Sequence, residues 1–157
     1  MVLTKLVYLE QLYNTLKIDG LNNPFLKINT FFNTPSSSTW STMNVSLNQY
    51  VTDNSSNENY ISLRVLIIEA DGTVAYDSSR ITSTNTTQQN TYSNYQAKTI
   101  NENHNSRPAV ITALISNSGV GKEQRWSSTN GTFQQYLAIR MGLNNEFAIG
   151  VIRISIV

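Results

Sequence analysis

Apolar and polar positions alternate in distinct rhythms along this 157-residue chain. In residues 1–18, MVLTKLVYLEQLYNTLKI, the positions Val2, Leu6, Leu9, Tyr13 and Leu16 recur every third or fourth residue, with Leu3 and Leu12 widening the stripe. That is the period of an amphipathic helix, and Gly20 is a natural stop. Such a helix either lies against the rest of the domain or pairs its apolar face with a second copy, as a homodimer. Residues 22–60 are less regular. PFLKINTFF carries apolar pairs without a clean period. TMNVSLNQYV alternates, with Met43, Val45 and Leu47 on one side, and predicts a half-buried strand. PSSST and TDNSSNEN read as loops.

From Ile61 the pattern becomes that of β-structure. ISLRVLIIEA is dense in β-branched residues, Asp71-Gly72 is a strong turn, and TVAYDS resumes as a strand, so a β-hairpin is expected. Residues 79–101 are almost wholly polar and read either as a long surface loop or as a pair of short elements. SRPAVITALIS predicts a short helix with Val110, Ile111 and Leu114 turned inward, Pro108 in its first turn and Ser106 as its cap. NSGVGK reads as a turn. EQRWSS, FQQYLAIRM and EFAIGVIRISIV are three strands joined by TNG and GLNN. The order strand, strand, helix, strand, strand, strand describes an α+β domain, an antiparallel sheet of about five strands with helices on one face. Residues 1–20 form the N-terminal helix and 21–157 a single domain.

Charge and composition narrow the partners. Eleven Lys and Arg against ten Asp and Glu leave a net charge of +1, too small a field to draw in nucleic acid or an anionic membrane. Only 13% of residues are charged; polarity comes from 20 Asn, 18 Ser and 17 Thr. Such asparagine richness fits an AT-rich genome, for instance that of a large DNA virus. Sequons at Asn44, Asn54, Asn85 and Asn130 are as many as chance gives at this composition and carry no message about secretion. The chain has no cysteine and one histidine, which excludes disulfides, zinc–sulfur sites and a histidine-rich metal cluster. Lys5, Glu10, Gln11 and Asn14 break the apolar run of residues 1–18, which therefore does not read as a signal peptide. No stretch approaches the length of a membrane span.

Candidate chemistry is sparse. SGVGKE, residues 118–123, lacks the first glycine of a phosphate loop, has Glu123 where a hydroxyl residue belongs, and precedes a strand. A carboxylate there repels phosphate, and no cofactor is expected. Asp71 reads as a turn residue, Glu69 as solvent-facing, and Asp77 as a strand-end carboxylate bonded to the next turn's backbone or to an arginine. His104 has no identifiable nucleophile beside it, so no catalytic triad and no enzyme is expected; it reads as a hydrogen-bonding loop anchor. Arg107 is more informative. A guanidinium at a helix start gains nothing from the helix dipole, so Asp77, a run of carbonyls or a bound carboxylate must hold it. Tyr76, Trp126 and Tyr136 either line a small pocket or pack conventionally.

Five segments in order, RVLIIEADGTVAYDS (64–78), ENHNSRPAV (102–110), RWSSTNG (125–131), YLAIRM (136–141) and GVIRISI (150–156), resemble the single Cache, PAS-like extracytoplasmic sensor domain of bacterial phosphate-response and cell-wall sensor histidine kinases. The match is strongest over residues 60–157. Ala109 stands where that family usually carries glutamate, and Trp126 where it carries tyrosine. The resemblance implies a PAS-like fold and a ligand cavity between the central sheet and the loop–helix segment that starts at Asn103, His104, Arg107 and Pro108. It also implies an extracytoplasmic setting, although the family's flanking membrane helices have no counterpart here; the chain is then an excised module or a free-standing protein. The expected function is a non-catalytic sensor that holds a small polar or anionic metabolite. Arg107, Arg125, Tyr76 and Tyr136 are its expected ligands, with Asp77, His104 and Trp126 beside them, and the N-terminal helix passes on the change. The alternative is a structural or protein-interaction domain without a cavity.

Overall fold

The computed structural model describes residues 11, 14, 23–55, 63–81, 84–98, 107–127, 131–141 and 150–156. Of the N-terminal segment only Gln11 and Asn14 are among these, both helical and both exposed. The expected amphipathic face and its dimer therefore lie outside the described residues, as do Ser106 and His104.

Asn23 opens the first described helix, α1 (Pro24–Asn33): its Oδ1 accepts from the Leu26 N–H at 3.3 Å, and Pro24 occupies the first turn, where its missing N–H costs nothing. Pro24, Ile28 and Phe31 are buried on one stripe, which is the helical period hidden in the apolar pairs. The next helix, α2 (Ser37–Ser55), starts from a reciprocal cap. Ser36 Oγ accepts from the Thr39 N–H at 3.1 Å, and Thr39 Oγ1 accepts from the Ser36 N–H at 3.0 Å.

This helix replaces the strand expected over residues 42–51 and takes in much of both flanking loops. Met43 and Leu47 satisfy a two-residue alternation and a four-residue helical spacing equally. Trp40, Tyr50 and Val51 decide for the helix, because all five are buried while Val45 is 67% exposed. The many hydroxyl and amide residues are tolerated because their side chains fold back on the helix: Thr42 and Thr52 donate to the carbonyls of Ser38 and Asn48, and Asn54 to that of Tyr50.

Five antiparallel strands follow: β1 (Leu63–Glu69), β2 (Val74–Asp77), β3 (Val120–Ser127), β4 (Thr132–Met141) and β5 (Gly150–Ile156), arranged β2-β1-β5-β4-β3. The hairpin at Asp71-Gly72 is as expected. Asp71 Oδ1 accepts from the Thr73 N–H at 2.9 Å, and Gly72 takes φ 91°, open to glycine at no steric cost. The polar segment after β2 holds short elements, a 3-10 turn at Ser78–Arg80, another at Thr86–Gln88, and helix α3 (Tyr92–Gln96). Helix α4 (Pro108–Ile115) precedes β3. The protein is thus α+β, with a five-stranded antiparallel sheet and, among the described residues, four α-helices. None of these helices is long and apolar enough to cross a membrane.

Helices cover both faces of the sheet, not one. On the first face Ile28, Phe31, Trp40, Met43, Leu47 and Tyr50 pack on Val65, Ile67, Leu137, Ile152 and Ile154. On the second, Ala109, Val110 and Ala113 of α4 pack on Leu66, Ile68, Val74, Ala138 and Val151. Burying both faces is what makes the hairpin and the last strand read as nearly unbroken apolar runs.

Helix α4 turns its small residues inward. Ala109 and Ala113 are fully buried, Val110 is nearly so, and Ile111, expected inside, is 40% exposed. The cause is Gly121 on β3: a Cβ there would stand 1.9 Å from the Ala109 carbonyl oxygen. Only alanines on the helix and glycine on the strand permit this approach. The turn expected over residues 117–122 accordingly ends at Gly119 (φ 69°), and Val120 to Lys122 already belong to β3.

Gly121→Ala should therefore destabilise the fold by at least about 1–3 kcal/mol through overpacking. Urea unfolding would show the loss as a lower midpoint at unchanged slope, and an unchanged midpoint would contradict this packing.

Candidate functional site

Alternation along the strands sorts the expected site residues between the two faces. Asp77 pairs in register with Leu66, Glu123 with Tyr136, and Arg125 with Gln134, placing all three beside Arg64, Arg153 and Ser155 on the face that carries α4. Tyr76 and Trp126 point the other way. Tyr76 is fully buried under α2, its hydroxyl donating to Asn48 Oδ1 at 2.9 Å. Burial and the neighbouring Asp77 push its pKa far up, so it stays a neutral donor. Trp126 is 54% exposed on β3, an edge strand. The structure therefore brings Arg107, Arg125, Tyr136 and Asp77 to one face and separates them from Tyr76 and Trp126.

Asp77 is the carboxylate the sequence suggested, bonded to both the next turn and an arginine. Its hydrogen-bonded partner is Arg64, not Arg107: Arg64 Nε donates to Oδ1 at 3.1 Å and Nη2 to Oδ2 at 2.7 Å, and Arg80 Nε stands 3.8 Å from Oδ2. Ser79 adds its N–H at 3.0 Å and its hydroxyl at 2.8 Å, both to Oδ1. Burial by itself would raise the Asp77 pKa, but the hydrogen bonds and charge of Arg64, joined by Ser79, outweigh it and hold the carboxyl below its ordinary 3.8. The adjacent Ser78 hydroxyl accepts from the buried Val65 N–H at 2.9 Å. Asp77-Ser78 is thus a corner that locks β2 to β1. Glu69, expected in solvent, is half-buried and accepts a short hydrogen bond from the Tyr95 hydroxyl; burial raises its pKa against that bond.

The middle of this face is built around Tyr136. Its ring carries the Arg153 guanidinium at 4.1 Å from the centroid and the Arg125 guanidinium at 5.5 Å, and its hydroxyl donates to Gln134. Arg153 is only 4% exposed. Burial lowers its pKa to about 10, with Tyr136 and Glu123 opposing and Arg107 and Arg64 adding like-charge repulsion. It remains a cation at neutral pH.

Arg107 caps α4 through its backbone only: the helix has no side-chain cap. The Arg107 Nε is buried and has no hydrogen-bond partner. Arg125 donates from Nε at 3.1 Å and from Nη2 at 2.6 Å to a single oxygen, Glu123 Oε1, and so is occupied within the protein. The second oxygen, Glu123 Oε2, is buried without a hydrogen-bond partner. An orphaned buried polar atom of this kind costs about 1–3 kcal/mol, more when charged. The far end of α4 is by contrast satisfied, since Arg140 Nη1 donates to the Ser116 carbonyl at 2.7 Å.

On this face, among the described residues, the guanidiniums of Arg64, Arg80, Arg107, Arg125, Arg140 and Arg153 outnumber the carboxylates of Asp77 and Glu123. Sequence reading missed Arg153, Arg64 and Glu123 as members. The signal for Arg153 was present, an arginine between two isoleucines in a strand buried on both faces. Among the described residues no group of three or more His, Asp or Glu could hold a metal ion. A cleft of about 700 Å³ is lined by Asn14, Thr112 of α4, Ser118, Val120, Lys122, Leu137 and Ile139, none of them an expected site residue.

Asp77→Asn should cost about 2 kcal/mol at neutral pH, since Arg64 loses a charged partner but is itself 39% exposed. A folded pKa below the unfolded value gives stability that is present above 3.8 and is lost as pH falls through the folded pKa. The gap between wild type and variant should thus close below pH 3.8; a gap independent of pH would exclude the ion pair as its source. Compared with known proteins, the chain matches no protein-family model and no curated protein sequence.

Proposed function

We propose that this protein is a non-catalytic sensor or ligand-binding module of PAS-like, single Cache type, and that it takes a small anionic metabolite on the face bearing α4. The fold reading is supported by the five antiparallel strands, the Asp71-Gly72 hairpin ending in Asp77-Ser78, and the helix that starts at Arg107-Pro108 before β3. One observation carries the ligand reading. The buried Arg107 Nε has no hydrogen-bond partner, and Arg107 adds like-charge repulsion to the burial that lowers the Arg153 pKa. Two guanidiniums that repel each other are stabilised together by an anion placed between them. A second reading, a protein-interaction domain, draws on Trp126, an aromatic 54% exposed on an edge strand.

Thermal unfolding of the whole chain against amino acids, carboxylates and phosphate tests the first reading. A compound at about 100 times its Kd should raise the midpoint by roughly 5–10 °C. Arg107→Ala, which sheds a buried unpartnered donor and its repulsion of Arg153, should be at least as stable as wild type without ligand and should lose that rise. If the variant loses stability yet keeps the full ligand shift, Arg107 is architectural and the anion reading fails.

A further inference from the structure

We propose that the site selects small zwitterions, molecules carrying an ammonium group beside an anionic one, with Glu123 receiving the ammonium and Arg107 the anion. The inference rests on the anion-binding reading and deepens it. The buried atoms on this face that lack hydrogen-bond partners include two of opposite kind: Arg107 Nε donates, Glu123 Oε2 accepts. They do not satisfy each other, and both residues act electrostatically on Arg153. The ligand must therefore bring an acceptor for one and a donor for the other.

Glu123 is held for this task. Arg125 fixes its Oε1 with two hydrogen bonds, and the side chain is 11% exposed. Its Oε2 is buried and has no hydrogen-bond partner. A bare carboxylate would satisfy Arg107 and leave Oε2 orphaned, with like-charge repulsion added. Inorganic phosphate, carrying more negative charge, would meet the same repulsion more strongly. An ammonium removes both penalties at once. A site whose buried polar group is matched by one ligand group discriminates steeply against analogues that lack it.

The test is calorimetric titration of the full chain with amino acids and their deaminated counterparts, such as glycine with acetate and alanine with propionate, and with inorganic phosphate. Wild type should bind an amino acid at least about 10-fold tighter than its deaminated partner, and phosphate more weakly still. Glu123→Gln should lower amino-acid affinity about 10- to 100-fold while leaving the deaminated acid unchanged or tighter. Glu123→Asp, which keeps the charge, should fall between.

Deaminated acids or phosphate binding wild type as tightly as amino acids would overturn the inference while leaving the anion reading standing. So would a Glu123→Gln variant that weakens both ligand types equally. If no anion of any kind binds, both readings fall. The wild-type comparison decides the matter even if a variant does not fold.

Discussion

The close approach of helix α4 to strand β3 fixes where the residues of the second face stand. Gly121 leaves no room for a methyl group beneath the Ala109 carbonyl, so the helix lies directly on the strand. Ala109 and Ala113 are one turn apart and form the flat stripe that meets Gly121 and Ala138. Arg140 pins the C-terminal end by donating to the last carbonyls of the helix. With one end clamped and the middle in contact, the N-terminus has little freedom, and Arg107 is set near Arg153. Side-chain volume at three small residues thereby decides the electrostatics of the site.

A second constraint comes from amides acting in place of backbone. Strand β2 is an edge, and its outer polar groups need partners. Asn90 supplies them, accepting from the Asp77 N–H at 3.2 Å and donating to the Asp77 carbonyl at 2.7 Å, as a neighbouring strand would. Asn94 donates to the carbonyls of Thr86 and Gln89, closing the loop upon itself. Tyr92 and Tyr95 then anchor the segment in the core beside Trp40 and Phe31. Over residues 84–98 the polar stretch is therefore held by side-chain hydrogen bonds and two aromatics, which hydropathy does not register.

The same distinction explains what could be seen in the sequence. The hairpin, the three C-terminal strands and α4 were legible because each joins a turn signal, or for α4 a first-turn proline, to an apolar run. Helix α2 was not, because Met43, Val45 and Leu47 fit a strand over five residues; only the wider window from Trp40 to Val51 separates the two periods. The rotation of α4 was hidden because bulk, not hydrophobicity, sets it: Ile111 is the more apolar residue, but Ala109 is the one that fits. Of the site, Arg107, Arg125, Tyr136 and Asp77 stood out in sequence. Glu123 was noticed only as a residue hostile to phosphate, and Arg153 passed as part of a strand.

Near-neutral composition concealed the site's electrostatics. A net charge of +1 over 157 residues implies no field, yet the charges are not spread evenly. Arg64 and Asp77 neutralise each other at one end of the face, and Arg125 holds one oxygen of Glu123 at the other. Between them Arg153 lies on the Tyr136 ring, 4% exposed, with Arg107 near enough to repel it. Keeping two guanidiniums together away from water opposes folding, and apolar side chains of similar length would fill the space at lower cost. The aromatic ring offsets part of that cost through its quadrupole. Glu123, whose charge also acts on Arg153, offsets a further part.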